Sequence, residues 1–473
     1  MLLRSPSAKE CFCRSTYFAR ERKMRKGEID FITLGCSKNL VDAERVMRQL
    51  EVAGWKCVHD SENPKGEICV INTCGFIGDA KEESINMILQ MAERKKKGQL
   101  RKLIVMGCLS ERYRAELEEE ISEVDAYFGK FDFSKIVESL KLKVERSPKV
   151  DSCKSFERKL TTPKHYAYLK ISEGCNRMCS YCAIPLITGR HTSRPMEEIL
   201  DEVKWLVSQG VKELNVIAQD LSSYGLDLVR GNGLRVSGDG KHLLPELVDK
   251  MAQVEGVEWI RLHYAYPTDF PDALLDVMAK HKNVCNYLDI ALQHCTDHML
   301  GLMRRHITRA EQDALIHRIR ERVPGICIRT TLMVGHPGET EEDFEELKAW
   351  VKEMRFDRMG AFAYSDEEGT YANKHYKDDI PQEVKEARLA ELMAIQQQIS
   401  GELMQAKVGT IERVIIDRQE GDYYVGRTQY DSPEVDCEVL IKEEGEKSKV
   451  KGGDFVNVQI TKAEEFDLYG ILC

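Results

Sequence analysis

The sequence predicts an α/β protein in three parts: an N-terminal doubly wound parallel α/β domain, a central partial (β/α) barrel and a small C-terminal antiparallel β-barrel. Three patterns carry that prediction. Strand-like runs at 29–34, 68–72 and 102–106 alternate with amphipathic stretches such as 42–52 and 80–94, the βαβαβα order of a parallel sheet. Six further strand candidates, at 166–171, 213–217, 257–262, 287–292, 326–334 and 358–363, alternate with helical stretches at 196–208, 243–254, 272–280, 309–322 and 341–354. A helical connector at 381–404 follows, and then five short strands, at 412–416, 423–428, 435–441, 455–461 and 468–472, broken by Asp, Gly and Ser turns.

The totals agree with several domains in one chain. At 473 residues the sequence exceeds what one core organises, and 42% hydrophobic with 31% charged residues is a globular composition. No apolar run reaches the length of a bilayer span, so no membrane contact is expected. The net charge of -10 argues against a generic nucleic-acid binder. Sixteen cysteines are scattered along the chain, which reads as metal ligands plus small buried residues in a reducing, cytoplasmic setting. Residues 1–26 form a basic tail with no signal-like apolar core; 1–23 are expected to be disordered, or absent if translation starts at Met24, and Cys11 and Cys13 receive no role. The domains then run 27–142, 164–402 and 403–473, with a charged, aperiodic linker at 143–163.

Chemistry concentrates in the cysteines. Cys175, Cys179 and Cys182 follow the first strand of the central part in a CxxxCxxC loop opened by Gly174. Three thiolates at that spacing can hold a four-iron cluster and leave one iron open to a small molecule. A structural zinc site is the alternative, but it usually takes four ligands; no fourth cysteine completes this loop, although His191 lies just downstream. In the N-terminal domain the three strand candidates end at Cys36, Cys74 and Cys108. Carboxyl ends of parallel strands are where such sheets bind ligands, so these thiols are read as a second three-cysteine cluster site.

Position at the strand ends nominates Gln219, Asp220, His263, Tyr264, Gln293, His294, Gly335 to Gly338, Tyr364 and Ser365 as mouth residues of the partial barrel. Gly335 and Gly338 allow close backbone approach to a ligand, or simply form a Pro-Gly turn before the next helix. His263 and His294 are candidate acid-base groups, with hydrogen-bonded structure as the plainer reading. Cys285, Cys295 and Cys327 read as barrel packing. Asp417, Glu420, Asp422, Asp431, Glu434, Asp436 and Glu438 make the C-terminal part acidic, which suits a basic protein partner; a solvated face is the alternative.

With these motifs in place the chain resembles the methylthiotransferase family of radical S-adenosylmethionine (SAM) enzymes over nearly all of 29–470. That resemblance implies an N-terminal methylthiotransferase domain, a radical SAM barrel and a C-terminal TRAM barrel. One branch of the family acts on a tRNA adenosine, the other on an aspartate of the twelfth small-subunit ribosomal protein. Gly35-Cys36-Ser37-Lys38-Asn39, Met106-Gly107-Cys108-Leu109-Ser110-Glu111-Arg112-Tyr113, Leu262-His263-Tyr264-Ala265-Tyr266-Pro267, Asp431-Ser432-Pro433-Glu434-Val435-Asp436 and Glu465-Phe466-Asp467-Leu468-Tyr469-Gly470 are similar to the second branch. The resemblance implies a SAM-cleaving 4Fe-4S cluster on Cys175, Cys179 and Cys182, and an auxiliary 4Fe-4S cluster on Cys36, Cys74 and Cys108 that carries the sulfur. It further implies SAM contacts at Tyr181, Gly335 and Gly338, an external electron donor, and a ribosomal-protein partner met through the acidic TRAM barrel. A tRNA methylthiotransferase and a non-catalytic iron-sulfur carrier are the competing readings. Ala291 and His336 depart from the family's usual proline and phenylalanine.

Overall fold

Five parallel strands form the sheet of the N-terminal region: β1 (Arg25–Thr33), β2 (Lys56–His59), β3 (Gly66–Thr73), β4 (Lys102–Gly107) and β5 (Ala126–Tyr127), in the order β2-β1-β3-β4-β5. In this computed structural model residues 24–140, 154, 156–228, 242–442 and 450–473 are described, and they divide into two compact units between Thr161 and Thr162. The expectations for 1–23 and for 143–153 lie outside the described residues.

Side-chain alternation along the strands feeds two separate cores, one on each face of this first sheet. Ile29, Phe31, Ile68, Val70, Ile104 and Met106 pack with helix Ser37–Val52 and helix Phe133–Ser139. Ile32, Cys69, Ile71, Leu103 and Val105 pack with helix Gly78–Lys96 and helix Cys108–Glu120. Each such fully buried Ile, Val or Phe contributes on the order of 2 kcal/mol from water exclusion. The sheet is therefore doubly wound, and its order reverses between β1 and β3, where chains on opposite faces leave a crevice at the strand ends. The four-residue β2 and two-residue β5 escaped the sequence reading, because edge strands that short carry no alternation to detect. Of the stretch read as a linker, 156–161 pack on this unit: Arg158 pairs with Glu44 at 2.5 Å with both side chains buried, and Thr161 donates its backbone N–H to Glu44 at 2.7 Å.

The second unit holds an open six-stranded parallel sheet. Its strands are β6 (Tyr166–Lys170), β9 (Glu213–Ile217), β10 (Trp259–Ala265), β11 (Val284–Ile290), β12 (Cys327–Val334) and β13 (Arg358–Ala363), in the order β13-β12-β11-β10-β9-β6. Between β6 and β9 a small antiparallel pair, β7 (Ser172–Glu173) with β8 (Thr192–Ser193), pinches off the cysteine loop. Strand β10 runs three residues beyond the predicted end, so His263 and Tyr264 lie inside it rather than leaving it; Tyr264 adopts a left-handed φ of +65° and the register shifts around it. Strand β11 starts three residues earlier than predicted, since Cys285 and Asn286 broke the apolar pattern but not the ladder. Helix Gln382–Gln405 is part of the barrel wall, burying Leu392, Ile399 and Met404.

The last five strands, β14 (Ile411–Glu420), β15 (Tyr423–Thr428), β16 (Glu438–Lys442), β17 (Phe455–Ala463) and β18 (Asp467–Leu472), close into a barrel in the order β14-β15-β16-β18-β17. Four pairings are antiparallel as read from the sequence, and the β16–β18 pair is parallel. This barrel packs against the N-terminal ends of the six-stranded sheet, the end away from the cysteine loop. Ile415 enters a core with Trp259, Cys285, Tyr287 and Cys327. Around that core runs a buried ion-pair network in which Glu213 meets Arg427 at 2.7 Å and Arg261 at 3.0 Å. Arg427 also meets Asp417 at 2.7 Å.

This network turns several of the C-terminal acidic residues inward. Asp417 also binds His165 at 2.7 Å, Asp431 binds Arg358 at 2.6 Å, and Asp436 binds Arg329 at 3.3 Å and the Tyr287 hydroxyl at 2.9 Å. Burial pushes the Asp417 carboxyl up, but His165 and Arg427 outweigh it and hold it at about 2. Those carboxylates join the small barrel to the sheet; Glu420, Asp422 and Glu434 are exposed, Glu420 paired with Arg418 at 2.7 Å and Glu434 accepting from the Tyr166 hydroxyl at 2.8 Å. Among the described residues no helix is long and apolar enough to cross a membrane.

Candidate metal centres

In the first unit the three nominated cysteines leave three neighbouring strands. Cys36 follows β1 and caps helix Ser37–Val52, accepting on its carbonyl from Asn39 N at 2.9 Å. Cys74 follows β3, held by Ser84, whose hydroxyl accepts from Cys74 N at 3.0 Å and donates to Cys74 O at 3.1 Å. Cys108 follows β4 and opens helix Cys108–Glu120. Glycines let the turns approach. A Cβ on Gly35 would lie 2.8 Å from Cys74 Cβ, and one on Gly107 would lie 2.6 Å from the Thr73 carbonyl. Both residues also have left-handed φ, +91° and +100°.

Asn39, buried at 1%, ties the turns together. Its Nδ2 donates to Leu34 O and to Thr73 O, both at 3.1 Å, and its Oδ1 accepts from Cys108 Sγ at 3.5 Å. Sequence reasoning quoted Asn39 inside a motif without assigning it a role. Burial pushes the Cys108 thiol to about 12 and raises Cys74, and in each the neighbouring thiols add to the rise. At Cys36 desolvation is outweighed by Lys38, Lys130 and helix backbone N–H groups, and its thiol is lowered. Lys130, buried at 3%, opposes the rise at the other two as well. A cation facing three converging thiols suits an anionic group in their midst.

The second triad sits on one loop at the mouth of the six-stranded sheet. Gly174 opens it with φ +80°, and a Cβ there would lie 2.2 Å from Arg190 O, so only glycine fits where the loop's two ends meet. Cys175 N donates to Gly189 O at 3.2 Å, and Arg177 N donates to Cys175 Sγ at 3.4 Å. Ser180 is held on three sides. Its N donates to Met303 O at 3.0 Å, its O accepts from Ala372 N at 2.7 Å, and its hydroxyl lies 3.1 Å from His336 Nε2. Cys179 Sγ receives Arg305 Nη1 at 3.5 Å and lies 3.5 Å from the Tyr266 hydroxyl. Burial pushes the Cys175 thiol to about 12, and burial with the other two thiols raises Cys182.

The remaining candidates separate by what they touch. Asp220 accepts from Arg177 Nε at 2.8 Å, fixing the loop. His263 meets Asn215 at 3.2 Å within the sheet, while buried His294 faces Glu339 at 3.4 Å and accepts from Thr296 N at 3.2 Å. Gln219 binds Glu173, Tyr364 donates to Asp366 at 3.1 Å, and Ser365 donates to Glu367 at 3.0 Å. Each mouth glycine has a packing reason to lack a side chain: a Cβ on Gly335 would lie 2.4 Å from Lys385 Cγ, and one on Gly338 would lie 2.8 Å from Leu302 Cδ1. The turn then leads to Thr340, which caps helix Glu341–Met354 in a capping box with Asp343. Tyr181 is half-buried in the loop with its hydroxyl 3.3 Å from Arg305 Nη1. Cys285, Cys295 and Cys327 are buried, in keeping with barrel packing.

His336 departs from the family's usual residue where its Nε2 meets the Ser180 hydroxyl, between Cys179 and Cys182. Its ring lies among Tyr181, Tyr364 and Tyr376, and burial lowers it to about 4, so it is neutral at ordinary pH. Ala291 lies beneath the same loop: its carbonyl accepts from Arg305, and its N–H, which a proline would lack, donates to Ala265 O at 3.1 Å. Among the described residues no three His, Cys, Asp or Glu side chains close around a single ion. A cubane cluster instead takes each thiolate on a different iron, across a wider triangle, and thiol donors with glycine-cleared turns fit such a group.

Three stretches match known families: residues 28–129 the uncharacterized protein family UPF0004, residues 169–351 the radical SAM superfamily and residues 408–472 the TRAM domain. Over 446 residues the chain is 62% identical to the ribosomal protein uS12 methylthiotransferase RimO of Phocaeicola vulgatus, covering 94% of this chain and 99% of that protein. Proteins of the same description from Parabacteroides distasonis (57% over 447 residues, 94% and 99% covered) and Flavobacterium johnsoniae (52% over 452 residues, 95% and 99% covered) are also similar. The solved radical S-adenosylmethionine methyltransferase TsrM of Kitasatospora setae matches with a TM-score of 0.51, covering 72% of this chain and 75% of that one; at 14% identity it shows a shared fold.

Proposed function

This chain belongs to the family of ribosomal protein uS12 methylthiotransferases, and we propose that it adds a methylthio group to the β-carbon of an aspartate in that ribosomal protein. The observation that carries the reading is the pair of three-thiol sites, each one ligand short of the four cysteines that fully ligate a cubane. An electron carrier gains from full ligation; a missing ligand leaves an iron for a reactant. The aspartate β-carbon offers no leaving group and no strongly acidic proton, so a histidine base or a side-chain nucleophile has little purchase on it. His263 and His294, both held in buried structural contacts, accord with that.

When bound, two 4Fe-4S clusters and SAM supply what side chains cannot, a carbon-centred radical to remove hydrogen and a sulfur to take its place. Cys175, Cys179 and Cys182 would hold the SAM-cleaving cluster, and Cys36, Cys74 and Cys108 the auxiliary one. Tyr181 is the SAM contact best supported, because it lies in the loop itself; Gly335 and Gly338 would contribute only backbone. An external donor provides the electron, and the cytoplasm is the expected compartment. The exposed carboxylates Glu420, Asp422 and Glu434 would meet a basic protein partner, at the end of the sheet remote from the loop.

Anaerobic reconstitution with iron and sulfide, followed by SAM, a reductant and ribosomal protein uS12, tests the reading. The expected products are 5′-deoxyadenosine and a uS12 peptide heavier by one CH2S unit. Modification of tRNA in place of uS12 would transfer the assignment to the other branch, and absence of 5′-deoxyadenosine would remove the enzyme reading.

A further inference from the structure

Two arginines stand beside the cysteine loop of the second unit, and their surroundings differ. Arg177 lies 4.4 Å from the Tyr266 ring centroid, and its charge is answered by Asp220 at 2.8 Å and Asp269 at 3.3 Å. Arg305, only 2% exposed, meets no carboxylate among the described residues. Its Nη1 donates to Cys179 Sγ at 3.5 Å and to the Tyr181 hydroxyl at 3.3 Å, its Nη2 donates to Ala291 O, and its guanidinium lies 4.0 Å from the Tyr266 centroid. Its Nε has no acceptor among the described residues. The residues on either side, Arg304 and His306, both take left-handed φ, +55° and +53°, an unfavourable backbone that delivers Arg305 inward. A guanidinium stays charged at any ordinary pH, and a buried charge is strongly disfavoured without a counter-charge. The anionic group this cage offers is the Cys179 thiolate together with whatever that thiolate binds.

We infer that Arg305 is the buried counter-cation of the cluster on Cys175, Cys179 and Cys182, orienting the Cys179 ligand and favouring one-electron reduction of the cluster. The inference rests on the functional reading above for the presence of that cluster. Reduction takes one electron from the external donor and adds one negative charge to the cluster, so a fixed cation a few ångströms away stabilises the reduced state more than the oxidised one. Net charge, hydrogen bonds to the sulfurs and solvent exposure are the protein's levers on such potentials, and Arg305 acts through the first two. Arg305 is thus a positioning residue, working through Cys179 rather than on the substrate.

The test is an EPR-monitored redox titration of the reconstituted full-length chain carrying Cys36→Ala, Cys74→Ala and Cys108→Ala, so that the signal belongs to one cluster. With Arg305→Gln, the ratio of reduced to oxidised cluster at a fixed potential is expected to fall at least tenfold, about 59 mV for a one-electron couple. An unchanged ratio in a variant with full iron overturns the inference. Should Arg305→Gln fail to load iron, Arg305→Lys decides: its ammonium, on a shorter stem, withdraws from Cys179, and a smaller fall in the same direction supports the inference, whereas no fall overturns it. Absence of any cluster from the parent chain overturns this inference and the functional reading together. A parent that titrates and cleaves SAM, with variants that do not shift, overturns this inference alone.

Discussion

Cys175, Cys179 and Cys182 occupy one short loop whose two ends are clamped by Gly174 against Arg190, whereas Cys36, Cys74 and Cys108 come from three turns that only a folded sheet brings together. The loop triad pays little closure entropy, because its cysteines are neighbours in sequence. The sheet triad inherits its geometry from β1, β3 and β4 and from Asn39, which bonds toward all three turns. A local fault should therefore injure the first and leave the second intact, while a fault in the sheet's stitching should do the reverse.

The strongest way to break that contrast is Cys179→Ala. It should abolish 5′-deoxyadenosine formation and remove about half of roughly eight irons per chain, the total for two four-iron clusters. Iron quantitation showing loss of all or none would mean that the two sites are not independent. Next is Gly174→Ala, which sets a Cβ 2.2 Å from a carbonyl oxygen at φ +80°. A penalty on the order of 3 kcal/mol is expected in the loop. The iron remaining on the second unit should fall, read in the chain lacking the N-terminal triad, while the auxiliary signal in the otherwise native chain persists. Asn39→Ala should act on the other side, lowering unfolding free energy in urea by roughly 2 kcal/mol through the lost buried hydrogen bonds and weakening the auxiliary cluster. Equal loss from both clusters would contradict the division drawn here.

The smallest effect belongs to His336. Its folded pKa of about 4 lies below the ordinary histidine value, so the unfolded chain binds more protons as pH falls, and stability tied to the neutral ring is full above about 6.5 and lost toward 4. His336→Phe should remove that dependence. Between pH 7.5 and 5.5 the parent should lose about 1 kcal/mol more than the variant, measured by denaturant titration at each pH. Parallel losses would mean that His336 is not held neutral in the fold.

Much of this arrangement was legible in advance. CxxxCxxC is a local spacing, and repeated strand-helix alternation placed all six nominated cysteines at strand ends without knowledge of the sheet order. The unread parts depend on contacts across the chain. Nothing near Arg305 in sequence distinguishes it from Arg304, yet one is buried against Cys179 and the other lies 4.3 Å from the Tyr371 ring. The acidic C-terminal strands read as a partner surface because composition reports charge without its direction. Asp417, Asp431 and Asp436 turn inward to Arg427, Arg358 and Arg329.

Sequence alone determined the fold class and the two sets of thiols, since each rests on residue types at short or periodic spacing, which backbone geometry converts directly into structure; the family followed from resemblance along nearly the whole chain. Tertiary structure alone decided which charges face each other, which glycines yield to a neighbouring side chain, and which arginine lies buried beside the Cys179 sulfur. Those outcomes turn on distances between residues far apart in the chain, set by packing that no local pattern encodes.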